Sequence, residues 1–322
     1  ISWDDLLHEG PVPSGLSLDD LSNVRADYLV LQGYADEELV RDKFEYRNSI
    51  LKSYAQYKKV ILWFEHDLYD QLQLIELLKE LSLRESQLPA VFLICIGEHP
   101  EVQPFHGLGN LSLLQLENLY PQRQRLSAHQ LKTGAALWQA LTHSDPSKLQ
   151  AWLTTPVAEL PFMQPALLRF CQEYPNKDSG LTLTQTLLMK AVAEPLLELP
   201  TFKKTLQRLE KEGGLPPVGS ADKTTNQESP VRQNAEQRYQ QIMSGELSFG
   251  RLFHSLQQLE QAPFMGDLWV IKELDQLCNA RTPLLEYRQS SERSGPSGRH
   301  FQITKAGKDV LCGPKHWLDI NS

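Results

Sequence analysis

The sequence predicts an α/β protein with a Rossmann-like parallel sheet and helices at the N-terminal end, then a helical region and a winged-helix-like C-terminal domain. Three observations predict it. Val60-Ile61-Leu62-Trp63-Phe64 and Ala90-Val91-Phe92-Leu93-Ile94-Cys95-Ile96 are unbroken apolar runs of strand length, as expected of strands covered on both faces of a parallel sheet. A stretch of helical period (Leu72, Ile75, Leu78) lies between them, which makes a βαβ unit with a right-handed crossover. Near the C-terminus a helix, a strand, an Arg-bearing turn and a second strand follow in winged-helix order. The 322 residues exceed what one core usually holds. They divide into an α/β domain over 1–110, a helical linker region over 111–175 and a winged-helix-like domain over 176–322.

In chain order, Ile1-Ser2-Trp3 reads as the end of a strand. Ser17 to Leu31 opens with Ser17, Asp19 and Asp20, residues suited to a helix cap and first turn. Asp36 to about Tyr57 is a second helix, with Leu39, Phe44, Ile50 and Leu51 as candidate core. Val60–Phe64 is a strand, Leu68–Leu83 a helix and Ala90–Gly97 a strand. From Ser112 to Tyr174 the spacing is helical (Leu113, Leu116, Leu119; Leu137, Trp138, Leu141), punctuated by Pro146, Pro161, Pro165 and Pro175. Thr182 or Thr184 caps a helix carrying Leu187, Leu188, Ala191 and Val192. About 213–234 is rich in Gly, Pro, Ser, Thr, Asn and Gln and reads as a flexible insertion. Gly266-Asp267 starts the next helix. Pro283–Arg288 and His300–Thr304 are the strands of the wing.

The composition is that of an ordinary globular protein, with 41% hydrophobic and 22% charged residues. No apolar run approaches the ~18 residues of a membrane span, and Ile1 to Asp5 show no basic or signal-type apolar stretch. The cysteines Cys95, Cys171, Cys278 and Cys312 form no CxxC pair, so free thiols of a cytoplasmic protein are expected rather than structural zinc. The net charge of −8 argues against a surface that binds nucleic acid throughout. Between Arg281 and Lys308, however, six basic residues face Glu286 and Glu292.

His8-Glu9-Gly10-Pro11-Val12-Pro13, Leu62-Trp63-Phe64-Glu65-His66-Asp67-Leu68-Tyr69-Asp70-Gln71-Leu72 and Gly107-Leu108-Gly109 stand out as segments. So do Leu160-Pro161-Phe162, Pro263-Phe264-Met265-Gly266-Asp267 and Ile303-Thr304-Lys305-Ala306-Gly307. With these the chain resembles a bacterial family known as domain of unknown function 1835, over almost its whole length. The resemblance implies the α/β fold and an upstream Gly-Asp-Ser segment after a first strand. It implies no activity.

Glu65, His66, Asp67, Asp70 and Gln71 follow the first long strand directly, and in open α/β sheets ligands sit at the carboxyl ends of strands. His66, Asp67 and Asp70 are the candidate catalytic residues. The histidine would be the base or a metal ligand, and the carboxylates its orienters or co-ligands. Asp67 or Asp70 could equally cap the helix that follows. Asp4, His8, Arg47, Glu65 and Gln71 are candidate ligand contacts. Arg25, Arg41 and Arg47, on the intervening helices, include a candidate bidentate partner for an anion, although any one arginine is more often at the surface. A small anionic, nucleotide-like ligand and a divalent metal of unknown identity both suit such a cluster. Gly107-Leu108-Gly109 is too short for a phosphate loop.

The alternative site is the wing. Arg288, Arg293 and Arg299 would contact phosphates, and Lys203, Lys204 and Arg208 precede the flexible insertion. The preceding helix bears Asp267, Glu273 and Asp275 against Lys272 and is a poor groove reader. A protein partner suits that module as well as nucleic acid does.

Overall fold

The computed structural model describes residues 1–83, 89–193, 245–291, 293–311, 313 and 315–321. The predicted insertion over 213–234, Lys203, Lys204, Arg208 and Cys312 lie outside the described residues. Two compact units form: Ile1–Glu173 with Ala262–Met265, and Tyr174–Gln261 with Gly266–Ser322.

The first unit is built on α3 (Leu68–Ser82), the crossover between β1 (Lys59–Glu65) and β2 (Ala90–Ile96). These strands pair in parallel from Lys59 opposite Ala90 to Glu65 opposite Ile96. β3 (Gln124–Arg125) joins the far edge of β2 antiparallel, opposite Leu93 and Phe92. Period-two alternation sends Val60, Leu62, Phe64, Val91, Leu93 and Cys95 into the core around α3. Ile61, Trp63, Ile94 and Ile96 point to the other face, beneath Leu111, Leu119, Phe105 and Leu108. The sheet is thus covered on both sides, as the apolar runs require. Leu72, Ile75 and Leu78 are fully buried.

α1 (Leu18–Leu31) is capped by Ser17, whose side chain accepts the Asp20 N–H. α2 (Glu37–Lys52) is capped by Asp36. The buried stripe of α2 is Val40, Phe44, Arg47, Asn48 and Leu51, so the phase excludes Leu39, which is 54% exposed. Ile1-Ser2-Trp3 forms no strand. Trp3 turns inward instead: its indole N–H donates to Glu76 Oε2 at 2.7 Å, and its ring faces the Arg47 guanidinium at 4.5 Å.

The stretch read as a linker region packs into the same unit. It contains α4 (Leu113–Leu119), α5 (Ala128–Leu141), α6 (Ser147–Thr154) and α7 (Met163–Cys171). α5 lies along α3, where Gly134 admits Leu78 so closely that a Cβ would fall 2.4 Å from the leucine Cβ. Leu131, Leu137, Trp138, Leu160, Met163 and Leu167 join Leu72 and Leu78 in one core.

In the second unit α8 (residues 183–193) buries Leu188, Ala191 and Val192. β4 (Leu247–Ser248) leads into α9 (Phe249–Leu259), and α10 (Asp267–Asn279) precedes β5 (Leu285–Gln289) and β6 (Arg299–Ile303). The sheet is antiparallel in the order β4-β6-β5. Short α11 (Lys305–Leu311) and α12 (Trp317–Asn321) close the chain. Gly307 lies against the Leu284 carbonyl, where a Cβ would come within 2.2 Å. Among the described residues no helix is long and apolar enough to cross a membrane.

Candidate functional site

Only His66 and Asp67 separate the end of β1 from the start of α3. So tight a turn at the carboxyl edge of a parallel pair holds consecutive polar side chains close together, and hydrogen bonds fix most of them. Asp67 is the cap of α3, its Oδ1 accepting the Asp70 N–H at 2.8 Å. The Asp70 carboxylate folds back to accept the Glu65 N–H at 2.5 Å. Gln71 Nε2 donates to the Glu65 carbonyl at 2.6 Å and lies 3.4 Å from the Cys95 sulfur.

The Glu65 carboxylate turns to the opposite face, where Oε1 accepts the Leu108 N–H at 2.6 Å. Gly107, at φ 143°, allows this approach: a Cβ there would sit 2.0 Å from Glu65 Oε2. Gly107-Leu108-Gly109 therefore cradles a carboxylate of the protein itself, and Asp67 likewise fills the N-terminus of α3. Both anion-attracting positions at this edge are taken.

His66 differs from its neighbours. Its half-buried ring lies between Phe105 and Phe162, with centroids 6.2 and 5.9 Å away, and the buried Nδ1 has no hydrogen-bond partner. Burial lowers its pKa against the opposing pull of Asp70, which keeps the imidazole neutral near pH 7. Burial pushes Asp67 up to about 7, the amides of Asp70 and Tyr69 only partly opposing it and the charges of Asp70 and Glu65 adding to it. Asp70 is pushed up to about 6, again chiefly by burial, and Glu65 is raised for the same reason. The edge thus holds one neutral imidazole and carboxyls that exchange protons close to neutral pH, which is what acid–base chemistry needs.

The remaining ligand-contact candidates are Asp4, His8 and Arg47. Asp4 accepts a hydrogen bond from the Tyr69 hydroxyl and has Lys43 Nζ at 3.9 Å. His8 is 8% exposed, its ring against Phe264 and Tyr69. Burial and the nearby charges of Arg25 and Arg169 take its pKa down to about 3, so it is neutral. Arg47 is 2% exposed, stacked between Phe44 at 3.8 Å and Trp3 at 4.5 Å. All three of its guanidinium nitrogens lack hydrogen-bond partners, and Glu76 is its electrostatic counterpart. The bidentate arginine is Arg25 instead, and its partner is internal. Nε and Nη2 hold Asp5 at 2.9–3.2 Å; Nη2 also donates to the Leu6 carbonyl, and Nη1 donates to the carbonyls of Glu9 and Pro11. Arg25 therefore fixes the path of the loop that the prolines only stiffen. Arg41 is at the surface with Asp27 and Glu37.

Among the described residues no group of three or more His, Cys, Asp or Glu side chains is placed to hold a metal ion. The divalent-metal expectation therefore finds no donor set there. Cys95, Cys171 and Cys278 are free thiols, and burial pushes Cys95 and Cys278 up to about 12, far from nucleophilic readiness.

On the β5–β6 hairpin, Arg288 is held by Glu246 at 2.7 Å. Arg299 pairs with Asp275 at 2.5 Å and lies over the Tyr287 ring. Arg293 stands in the turn, its carbonyl accepting from Gln289 at 2.7 Å.

Comparison with family models, with curated proteins and with solved structures finds no match to this chain.

Proposed function

We propose that the first unit binds a small uncharged polar ligand at the carboxyl edge of β1 and β2 and acts on it by proton transfer. The neutral imidazole of His66 is the base. Asp67 and Asp70, with pKa values near neutrality, supply or receive the second proton. Hydrolysis is the reaction class such a pair serves. The observation that carries this reading is His66 itself. It is the ring at the strand–helix turn that capping does not use, and its Nδ1 has no partner.

The anionic ligand expected from fold analogy gives way to an uncharged one. The helix N-terminus and the glycine loop already hold carboxylates, and Arg47 is buried between the Phe44 and Trp3 rings. A Rossmann-like description of the first unit, a winged-helix-like description of the second and the kinship with the 1835 family belong to the same proposal. The nucleic-acid reading has less support, because Glu246 and Asp275 occupy Arg288 and Arg299.

The test is a thermal-shift screen of the full chain against uncharged amides, nucleosides and polyols, with nucleotides and divalent metals alongside, repeated on His66→Ala. A ligand at 100 times its dissociation constant stabilises the fold by about 2.7 kcal/mol. An uncharged compound whose shift disappears in His66→Ala is the expected result. A variant that binds every compound and metal as the parent does would sink the proposal.

A further inference from the structure

β3 covers β2 only as far as Leu93, the partner of Gln124. The Val91 carbonyl accepts the Leu126 N–H, so alternation along the strand directs the N–H and C=O of Val91, Leu93 and Cys95 to that one edge. No described strand lies opposite Cys95. A cavity of about 170 Å³ takes the place of the missing strand. Its floor and walls include Leu93 and Cys95 of β2, Gln71 of α3, Leu119 of α4, and Leu160 and Phe162. Polar edge and apolar walls thus meet in one space.

Three features relate this cavity to His66. Phe162 lines it and also packs on the His66 ring. Gly97, which continues β2 past its end, lies so close that an added Cβ would stand 2.9 Å from Phe162 and 3.3 Å from His66. The Cys95 sulfur lies 3.4 Å from the Glu65 carbonyl, on the chain that leads into His66. Phe162 is thus shared by the cavity and the His66 ring, which does not itself line the cavity.

We infer that the cavity is the binding site for a planar ring carrying an adjacent N–H and C=O, a cyclic amide or imide, which completes the edge of β2 by pairing with the Cys95 N–H and C=O. It rests on the reading of His66 given above in that Phe162 links the cavity to that ring, and it names a ligand class for the neighbouring cavity. Size supports a single ring: a cavity of about 150 Å³ accommodates benzene. Chemistry supports the amide, because the Cys95 backbone donor and acceptor, without a described strand partner, call for one acceptor and one donor from the occupant. Leu93, Leu119, Leu160 and Phe162 supply the apolar walls that a ring's faces require.

The experiment uses three probes of similar size on the ¹⁵N-labelled full chain: uracil, 1,3-dimethyluracil and benzene. Backbone amide shifts and thermal stability are followed in the parent, in Leu119→Trp, which narrows the cavity, and in His66→Ala. Uracil is expected to move the amide resonances of Leu93, Cys95 and Gly97 saturably and to lose binding in Leu119→Trp. Dimethyluracil, with no N–H for the Cys95 carbonyl, should bind at least about tenfold more weakly, the consequence of that acceptor losing its partner in the complex. Should Leu119→Trp fail to fold, the two methyl groups make the same discrimination on the parent protein. Equal binding of all three probes would overturn the inference, as would the absence of any uracil effect at Cys95. Uracil binding that persists unchanged in His66→Ala upholds the cavity and removes the proton-transfer reading. Another ligand lost in His66→Ala, with no uracil effect at Cys95, keeps that reading and removes the cavity.

Discussion

Asp67 shows how one side chain can be held for structure and remain available for chemistry. As the cap of α3 it accepts the Asp70 amide, yet burial raises its pKa from 3.8 to about 7. Between those values the folded state retains a proton that the unfolded chain has released. Its contribution to stability is therefore complete below 3.8 and is lost as pH rises toward about 7. Asn caps a helix about as well as Asp, so Asp67→Asn keeps the hydrogen bond and removes the titration. The melting temperature of Asp67→Asn relative to the parent should rise steadily from acid to neutral pH. A difference that stays flat across that range would show that the Asp67 carboxyl is not perturbed. The sequence marked Glu65, His66, Asp67, Asp70 and Gln71 because a polar run directly after a buried strand is a local pattern. Arg25 was marked only as one of three arginines that could hold an external anion and not as a buried residue, since an arginine's burial depends on distant partners. A signal for it did exist. Arg25 occupies a place in the stripe Leu18, Leu21, Ser22, Arg25, Ala26 and Leu29, and Arg47 one in Val40, Phe44, Arg47, Asn48 and Leu51. A charge inside an apolar stripe is either buried with a partner or out of phase with the core.

At the level of elements, α3 organises the first unit because it is covered on every side, by the sheet, by α5 and α7, and by the N-terminal arm. Its polar residues Gln73, Glu76 and Glu80 are buried too, and Trp3 and Lys79 reach Glu76 and Glu80. Gly134 of α5 sets the distance of closest approach, since a Cβ there would overlap Leu78. Gly134→Val should cost about 1–3 kcal/mol by forcing the two helices apart, measured by urea denaturation. Gly109→Ala, with nothing within 4 Å of the new methyl group, serves as the control and should cost far less. Equal costs would mean that the helices do not meet at Gly134. The βαβ unit was legible because both strands are long, apolar and separated by a helix of clear period. β3 was not, since Gln124 and Arg125 are polar and exposed, and their pairing depends on where α4 delivers the chain. The N-terminal residues misled for a related reason. Ile1-Ser2-Trp3 has strand composition, but the indole of Trp3 is committed to Glu76 and Arg47.

Across the whole molecule, the net charge of −8 acts together with the pairing of its cations. Arg25 is held by Asp5, Arg288 by Glu246 and Arg299 by Asp275. The amides of the glycine loop and of the α3 N-terminus hold Glu65 and Asp67. An anionic ligand approaching the His66 edge would meet a negative long-range field and displace carboxylates already bound to the donors it needs. An uncharged ligand meets neither obstacle, and the carboxyls near it lose charge as they take up protons. The two cases separate by ionic strength. Binding that neutralises several phosphates weakens by orders of magnitude between about 50 and 200 mM salt, whereas a neutral ligand at a half-buried site is insensitive to screening. Nucleotides and inorganic phosphate should therefore give no saturable thermal shift even at about 50 mM salt. The dissociation constant of an uncharged binder, measured by calorimetry, should change by less than about twofold over the same range. A nucleotide that binds saturably, and more tightly as salt is lowered, would show that the internal carboxylates yield to an external anion. The edge would then be an anion site whose own side chains hold it closed until the ligand arrives.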